Sequence, residues 1–184
     1  MAQPRFPKLG LPEMNDAQRA VAEQIMAGPR GEVRGPYIPL IHHPALAAKL
    51  QELGELLRWK GKLPKRLLEL AVLVTARRWT CQHEWFMHEK LAREAGLEAT
   101  LIAAIAQRIA PADLPPEEAI VYQFCAEAHA SGRVSDATFE AVRERFGLEG
   151  ALELLVICGY YSLMAMVLNT AGMPLPGDAQ PPLT

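Results

Sequence analysis

The sequence predicts an all-α fold, and three observations support that prediction. Of the 15 prolines, none lies between residues 65 and 110 and none between 117 and 173. Because proline disrupts helix interiors, long windows without it favour helices. Apolar residues in these windows recur at helical spacing, and no alternating apolar and polar run bounded by turns indicates a strand.

Capping residues, glycines and prolines predict where the first helices begin and end. An Asn/Asp start and a closing glycine predict a helix over residues 15–26, followed by a Gly- and Pro-rich loop over 28–39. Pro44 suits a first helical turn, and leucines follow it at helical spacing. Pro64 predicts the start of the next helix, which continues to Arg78.

Further helices are predicted over residues 81–96, 98–109, 117–131, 135–146 and 150–169. The last is apolar on nearly all sides, which predicts that it lies at the centre of the core or packs against another subunit. Glu69 and Glu153 lie in similar apolar contexts at an offset of 84 residues. This match indicates either a twofold-repeated helical unit or a chance likeness of two apolar helices. We predict one helical domain over 1–173 and a Pro-rich tail over 174–184 that is extended or loosely ordered.

The composition excludes several classes of protein. The chain has 184 residues, of which 50% are hydrophobic and 22% charged, and this places it outside the disordered class. Its formal net charge of −2 gives no reason to expect nucleic acid or a membrane surface as a partner.

Cysteine usage and apolar runs predict the compartment. The three cysteines, Cys81, Cys125 and Cys158, lie far apart in sequence, which favours free thiols in a reducing cytosol over a disulfide scaffold. The first ten residues lack the apolar centre of a signal peptide, and the most apolar run, 154–168, is short for a membrane span. We expect a soluble, cytoplasmic protein.

The residues that can carry chemistry concentrate between Cys81 and His88. At about 100° per helical residue, Cys81, Glu84 and His88 share one helix face. Glu84 and His88 stand four residues apart and can touch, and a carboxylate fixes the tautomer of an imidazole for acid/base work. The positive end of the helix dipole predicts a lowered pKa for the Cys81 thiol.

Each of these residues also has a structural interpretation. His88 can be an ordinary helix histidine paired with Glu84, and Cys81 can be a small buried apolar residue. His83 and His88 stand about 140° apart on a helix, so they cannot hold one metal ion from one face. Glu69 is the only charge in the run 67–76, and its partner is either Lys65 or His88.

The spacing of these residues resembles that of a known superfamily. Glu69, eleven residues, Cys81, two residues, Glu84, three residues and His88 reproduce the pattern of the carboxymuconolactone decarboxylase and alkylhydroperoxidase D superfamily, which is all-helical. The peroxidase branch has a second cysteine where this chain has Glu84. The resemblance is best over about residues 46–109, and 147–169 looks like the second half of longer, decarboxylase-like members.

The departures from the family pattern bear on the reaction. Glu84 cannot resolve an oxidised thiol, so a two-thiol peroxidase is disfavoured. The decarboxylase branch has Glu-Phe-Arg-x-His where this chain runs from Glu84 to His88 with Phe86 at the arginine position. Because arginine binds carboxylates bidentately, its loss argues against carboxymuconolactone itself and favours a more apolar, aromatic-derived substrate.

The resemblance therefore implies a cofactor-independent lyase or isomerase that needs no metal and acts on a small lactone, keto or enol compound of aromatic-degradation type. His88 would transfer the proton, Glu84 and Glu69 would orient it, and Cys81 would act as a weak donor. One alternative is a peroxide-reactive antioxidant protein that uses Cys81 alone. The other is an oligomer that binds a ligand without chemistry. The resemblance also suggests a homotrimer or hexamer.

Overall fold

The computed structural model describes residues 4–177 and 179–184, and within these ranges the chain is helical with no β-strand. The predicted all-α fold is confirmed. The helices are α1 (Asp16–Ala27), α2 (Tyr37–Leu40), α3 (Pro44–Glu55), α4 (Lys65–Arg78), α5 (Gln82–Glu94), α6 (Ala99–Ala106), α7 (Pro116–Ser131) and α8 (Asp136–Ala171). A 3-10 turn, Leu11–Glu13, precedes α1, and a π-helical turn, Leu56–Lys60, follows α3.

The predicted and observed boundaries differ where glycine changes the backbone direction. The short helix α2 forms inside the segment predicted as a loop, directly after a turn at Gly35 with a φ of 55°. The helices predicted over 135–146 and 150–169 are joined as α8, which bends at Gly147. The φ of 73° at Gly147 lies in the left-handed region that glycine adopts without strain.

The central helix of the fold is α4, which packs against α5, α7 and α8. Most of its residues are buried, including the acidic Glu69. The start of α4 is fixed from α8, because the Glu153 carboxylate accepts hydrogen bonds from the backbone amides of Lys62 (2.9 Å) and Leu63 (3.1 Å). Glu69 and Glu153 thus have different surroundings, and the internal repeat stays a prediction.

A tight turn joins α4 to α5 and places the two helices side by side. Thr80 has a φ of 44°, which is strained for a β-branched residue. Its hydroxyl oxygen accepts hydrogen bonds from the guanidinium groups of Arg77 (3.1 Å) and Arg108 (3.0 Å), which hold the turn. As a result, the middle of α4 faces the middle of α5.

One face of α8 lies in the core and the other is exposed. The helix is long enough to span a membrane, and one 18-residue window of it has a mean hydropathy of 1.9, but half of that window is buried inside the helical fold. Leu154 and Ile157 are fully buried, whereas Leu148 and Leu152 are 66% and 62% exposed. The prediction of a core position therefore holds for one face only.

The described part of the tail has no helix or strand and is anchored on the start of α5. The side-chain amide of Gln82 donates to the Leu183 carbonyl (2.8 Å) and accepts from the Leu183 amide (2.9 Å). Arg77 donates to the carbonyl of Thr184 (2.7 Å), and the Leu183 side chain is buried. The end of the tail is therefore tied to α4 and α5.

Candidate active site

Glu69 of α4 and His88 of α5 meet in the interior. The Nδ1 atom of His88 lies 2.6 Å from Oε2 of Glu69, and the two side chains are 6% and 1% exposed. The sequence left Lys65 and His88 open as partners of Glu69, and the structure selects His88. A buried carboxylate at this distance accepts the N–H of the ring and so fixes which ring nitrogen carries the proton.

A second carboxylate lies at the other ring nitrogen. Oε1 of Glu84, one turn earlier on α5, is 3.4 Å from Nε2 of His88, and both side chains are 6% exposed. Burial raises the pKa of the Glu84 carboxyl, and the nearby charge of His88 opposes this effect. The predicted Glu84–His88 pair is therefore present, but it is buried rather than solvated.

Tyr161 of α8 covers the imidazole ring. Its ring centroid lies 5.2 Å from that of His88, edge to face at 85°. The phenol oxygen is buried and has no hydrogen-bond partner among the described residues. Burial strongly raises the pKa of Tyr161, so the phenol stays neutral and can donate a hydrogen bond. A neutral donor without a partner beside His88 can bind an oxygen atom of a ligand.

Further tyrosines extend the site towards α2. The rings of Tyr160 and Tyr161 lie 5.3 Å apart, and the hydroxyl oxygens of Tyr160 and Tyr37 are 2.9 Å apart. The guanidinium of Arg30 lies 4.4 Å from the centroid of the Tyr37 ring. Arg58 and Arg30 act to lower the pKa of Tyr161, so positive charge reaches the site from this side.

Tyr161 was not predicted from the sequence, because all the residues predicted to carry chemistry lie in the first half of the chain. The one available signal was a pair of tyrosines in an otherwise apolar helix, and it cannot show which neighbouring helix each phenol meets. Asn169, near the end of the same helix, donates to the Trp79 carbonyl (2.9 Å) at an exposed position.

Cys81 differs from its prediction. It is the N-cap of α5, with a φ of −82° and a ψ of 99°, so a helical count of 100° per residue does not apply to it. Its thiol is fully buried with Ala165 and Leu168 of α8. Burial, reinforced by the charge of Glu84, raises the pKa of Cys81 to about 12. The predicted lowering by the helix dipole is wrong, because desolvation outweighs it.

His83 and His43 have structural partners. His83 Nδ1 lies 2.9 Å from the Pro174 carbonyl oxygen, and the ring of His43 caps α3 by accepting from the Leu46 amide. Within residues 4–177 and 179–184, no group of three or more His, Cys, Asp or Glu side chains is arranged to hold a metal ion.

The side chains of Glu69, Glu84, His88 and Tyr161 are all buried, so the site is closed by its own packing. Cavities of about 200 and 400 Å³ lie elsewhere. The smaller is lined by residues such as Leu9 and Ile38, and the larger by residues of α7 and α8 such as Phe124 and Leu152. A substrate can therefore reach His88 only after side chains or helices move.

The fold and the site are thus a helical bundle with one histidine buried between carboxylates from two adjacent helices, and known proteins share this fold. Residues 44–123 match the sequence profile described as Carboxymuconolactone decarboxylase family. A crystal structure described as alkylhydroperoxidase AhpD core, an uncharacterized peroxidase-related protein from Ralstonia eutropha JMP134, is 26% identical with a TM-score of 0.78. The similarity covers 97% of this chain and 94% of that chain. No curated protein matches the sequence significantly.

The match over residues 44–123 and the likeness of the fold confirm the resemblance to the carboxymuconolactone decarboxylase and alkylhydroperoxidase D superfamily that was predicted from residue spacing. The family match includes Glu69, Cys81, Glu84 and His88. Tyr161 lies outside the matched residues, although it contacts His88 directly.

Proposed function

We propose that the protein is a cofactor-independent lyase or isomerase in which His88 moves a proton at a carbon beside the carbonyl of a small lactone, keto or enol compound. The observation that supports this proposal is the imidazole held between two buried carboxylates. Glu69 at Nδ1, 2.6 Å away, leaves Nε2 as the reactive nitrogen on the side of Glu84. Proton transfer by an oriented histidine is worth about 10²- to 10⁴-fold in rate.

The residues around His88 fit the electron movement of such a reaction. When Nε2 accepts a proton from carbon, the electron pair of the C–H bond moves onto the carbonyl oxygen. In a decarboxylation, the pair comes from the bond to the departing carbon dioxide, and an imidazole that is protonated at the start gives its proton to carbon. The Tyr161 phenol can donate to the resulting enolate oxygen, and Arg30 and Arg58 favour its negative charge. The substrate carbonyl serves as the electron sink, so no organic cofactor is required.

A panel of small lactones, β-keto acids and enols in D₂O tests this proposal. NMR should detect deuterium at the carbon beside the carbonyl, or loss of carbon dioxide. His88→Ala should lower the rate by about 10²-fold or more, and Glu69→Gln and Glu84→Gln should lower it less. Glu94→Gln, an exposed substitution on the same helix, is the matched control. Full turnover by His88→Ala would contradict the assigned roles.

The closed site supports a second candidate, a ligand-binding oligomer without catalysis. This candidate predicts that panel compounds raise the thermal midpoint and shift NMR signals of residues near Tyr161 without being converted. Conversion that depends on His88 would exclude it.

A peroxide-reactive protein that uses Cys81 alone has less support, because its thiol is buried with a pKa of about 12. Iodoacetamide should label Cys81 in the folded protein far more slowly than in urea. Fast labelling of native Cys81 would restore that alternative.

A further inference from the structure

Two cysteines that the sequence assigned only to the core lie side by side. The Sγ atoms of Cys125 on α7 and Cys158 on α8 are 3.5 Å apart, although the residues are 33 positions apart in sequence. Both are free thiols and buried, with Cys158 3% exposed and Cys125 fully buried. A disulfide has an S–S length of about 2.05 Å, so a shift of roughly 1.5 Å would join them.

The pair lies where α4, α7 and α8 pack together, and polar groups from these helices surround it. Nε2 of His129, one turn after Cys125 on α7, lies 2.8 Å from the hydroxyl oxygen of Thr75 on α4. That hydroxyl donates to the Ala71 carbonyl, so it accepts from Nε2 of His129. His129 is partly exposed.

The two thiols are not equivalent. The Cys125 thiol, and then the His129 imidazole, lower the pKa of Cys158 against the effect of its burial. The pKa of Cys125 is raised by its contact with Cys158 and by burial. Cys158 is therefore the thiol whose ionised form is favoured, and Cys125 is the neighbour that can donate to it.

We propose that Cys158 and Cys125 form a second reactive site, a dithiol that small hydroperoxides oxidise to a reversible disulfide between α7 and α8. The Cys158 thiolate attacks the peroxide oxygen, which gives a sulfenic acid and, after protonation of the leaving oxygen, water or an alcohol. The Cys125 thiol then attacks the sulfenic sulfur and expels water. An external dithiol reduces the disulfide by exchange and is itself oxidised. This site is separate from Glu69, Glu84 and His88 and from the proposed proton transfer.

Thiol counting and mass spectrometry on the full-length protein test the proposal. After hydrogen peroxide and removal of excess oxidant, free thiols titrated in denaturant should fall from three to one. The intact mass should decrease by two hydrogens, peptide mapping should join Cys125 to Cys158, and dithiothreitol should reverse the change. Cys81→Ala is the matched control, because it removes a buried cysteine outside the pair and should still lose two thiols. An unchanged mass, a disulfide through Cys81 or only intermolecular disulfides would overturn the proposal.

Single substitutions separate the two thiols. In Cys125→Ala, peroxide should leave a sulfenic acid at Cys158 that dimedone traps, whereas Cys158→Ala should leave Cys125 unmodified. Labelling of Cys125 by dimedone in Cys158→Ala would contradict the proposal that Cys158 is the thiol that reacts with peroxide. The wild-type thiol count remains decisive if either variant does not fold.

The pH dependence of oxidation tests whether His129 favours the Cys158 thiolate. The groups that face the Cys158 thiol are Cys125 and His129 from α7 and Thr75 from α4. The rate of disulfide formation in the wild type should rise with pH and reach its plateau below about pH 8.5, where an ordinary thiol titrates. In His129→Gln this rise should shift to higher pH, and oxidation near neutral pH should slow by about tenfold. An unchanged pH profile would show that His129 does not favour the thiolate.

Discussion

Glu69 and Glu153 occupy matching places in the weak 84-residue repeat, yet their carboxylates have different partners. Glu69 is buried against the imidazole of His88, whereas Glu153 accepts backbone amides at the start of α4. A carboxylate that accepts backbone amides holds a turn, and one that accepts an imidazole N–H can stabilise positive charge during proton transfer. The environment of each residue, rather than its type, therefore determines which of the two belongs to the site.

Cys81 makes the stability of the fold depend on pH above neutrality. Its folded pKa of about 12 lies above the unfolded value of 9.0. The stabilisation from a neutral buried thiol is thus fully present below pH 9 and is lost as the pH rises from 9 towards 12. We expect wild type to lose roughly 1 kcal/mol per pH unit more than Cys81→Ala in this window.

Urea unfolding under reducing conditions from about pH 8 to about pH 10 measures this difference. The other cysteines and the tyrosines are common to both proteins, so their titration cancels. Parallel pH dependences for wild type and Cys81→Ala would mean that the Cys81 thiol ionises as easily in the folded state as in the unfolded one.

At the scale of elements, α3 approaches α8 closely because Gly54 has no side chain. A Cβ atom at Gly54 would overlap the phenol of Tyr160, which is hydrogen-bonded to Tyr37. Gly→Ala in a helix ordinarily stabilises by up to about 1 kcal/mol. Here we expect Gly54→Ala to destabilise by about 1–3 kcal/mol, because overpacking outweighs the helix propensity.

Gly159 is the matched control for this substitution. It also lies in a helix interior, but a Cβ there meets no atom within 4 Å. Gly159→Ala should therefore be neutral or stabilising in the same urea titration. If Gly54→Ala were equally well tolerated, Tyr160 could move aside without cost, and its place beside Tyr161 would not be fixed.

The Glu153 carboxylate links α8 to the start of α4. It lies 3.0 and 2.9 Å from the Lys62 amide and 3.1 Å from the Leu63 amide. Removing a charged acceptor from backbone amides costs about 1–3 kcal/mol, so Glu153→Ala should destabilise by that amount. Chemical denaturation of Glu149→Ala gives the control, because among the described residues the Glu149 carboxylate pairs only with the exposed side chain of Lys62. Equal losses of stability in both variants would mean that the removal of a negative charge, and not the loss of the bonds to the amides, causes the effect.

Over the whole molecule, the sequence predicted features that depend on neighbouring residues better than contacts between distant segments. Proline placement and helical periodicity predicted the helices, and the spacing of Glu69, Cys81, Glu84 and His88 predicted the superfamily. The sequence could not predict that Tyr161 covers His88 or that Cys125 meets Cys158, because both contacts depend on how α8 packs. Its error at Cys81 has a similar origin, since the helix dipole is a local effect and burial is a tertiary one.

The exposed face of α8 bears on the state of assembly. Leu148, Leu152 and Leu155 are 66%, 62% and 46% exposed, and they line the cavity of about 400 Å³ together with Phe139. Apolar surface of this kind on a folded chain favours association. We propose that this face is an interface between copies of the chain in a homotrimer or hexamer.

Light scattering coupled to size exclusion tests the assembly. The wild type should have three or six times the 20.3 kDa mass of the chain, and Leu152→Glu should shift the mass towards that of one chain. A charge buried in an apolar interface without a partner is strongly unfavourable, whereas the same charge on a free surface is tolerated. Ile109→Glu is the matched control, because Ile109 is 55% exposed but lies outside the α8 face. A wild-type protein that elutes as a monomer, or a Leu152→Glu variant with the wild-type mass, would show that copies of the chain do not associate through this face.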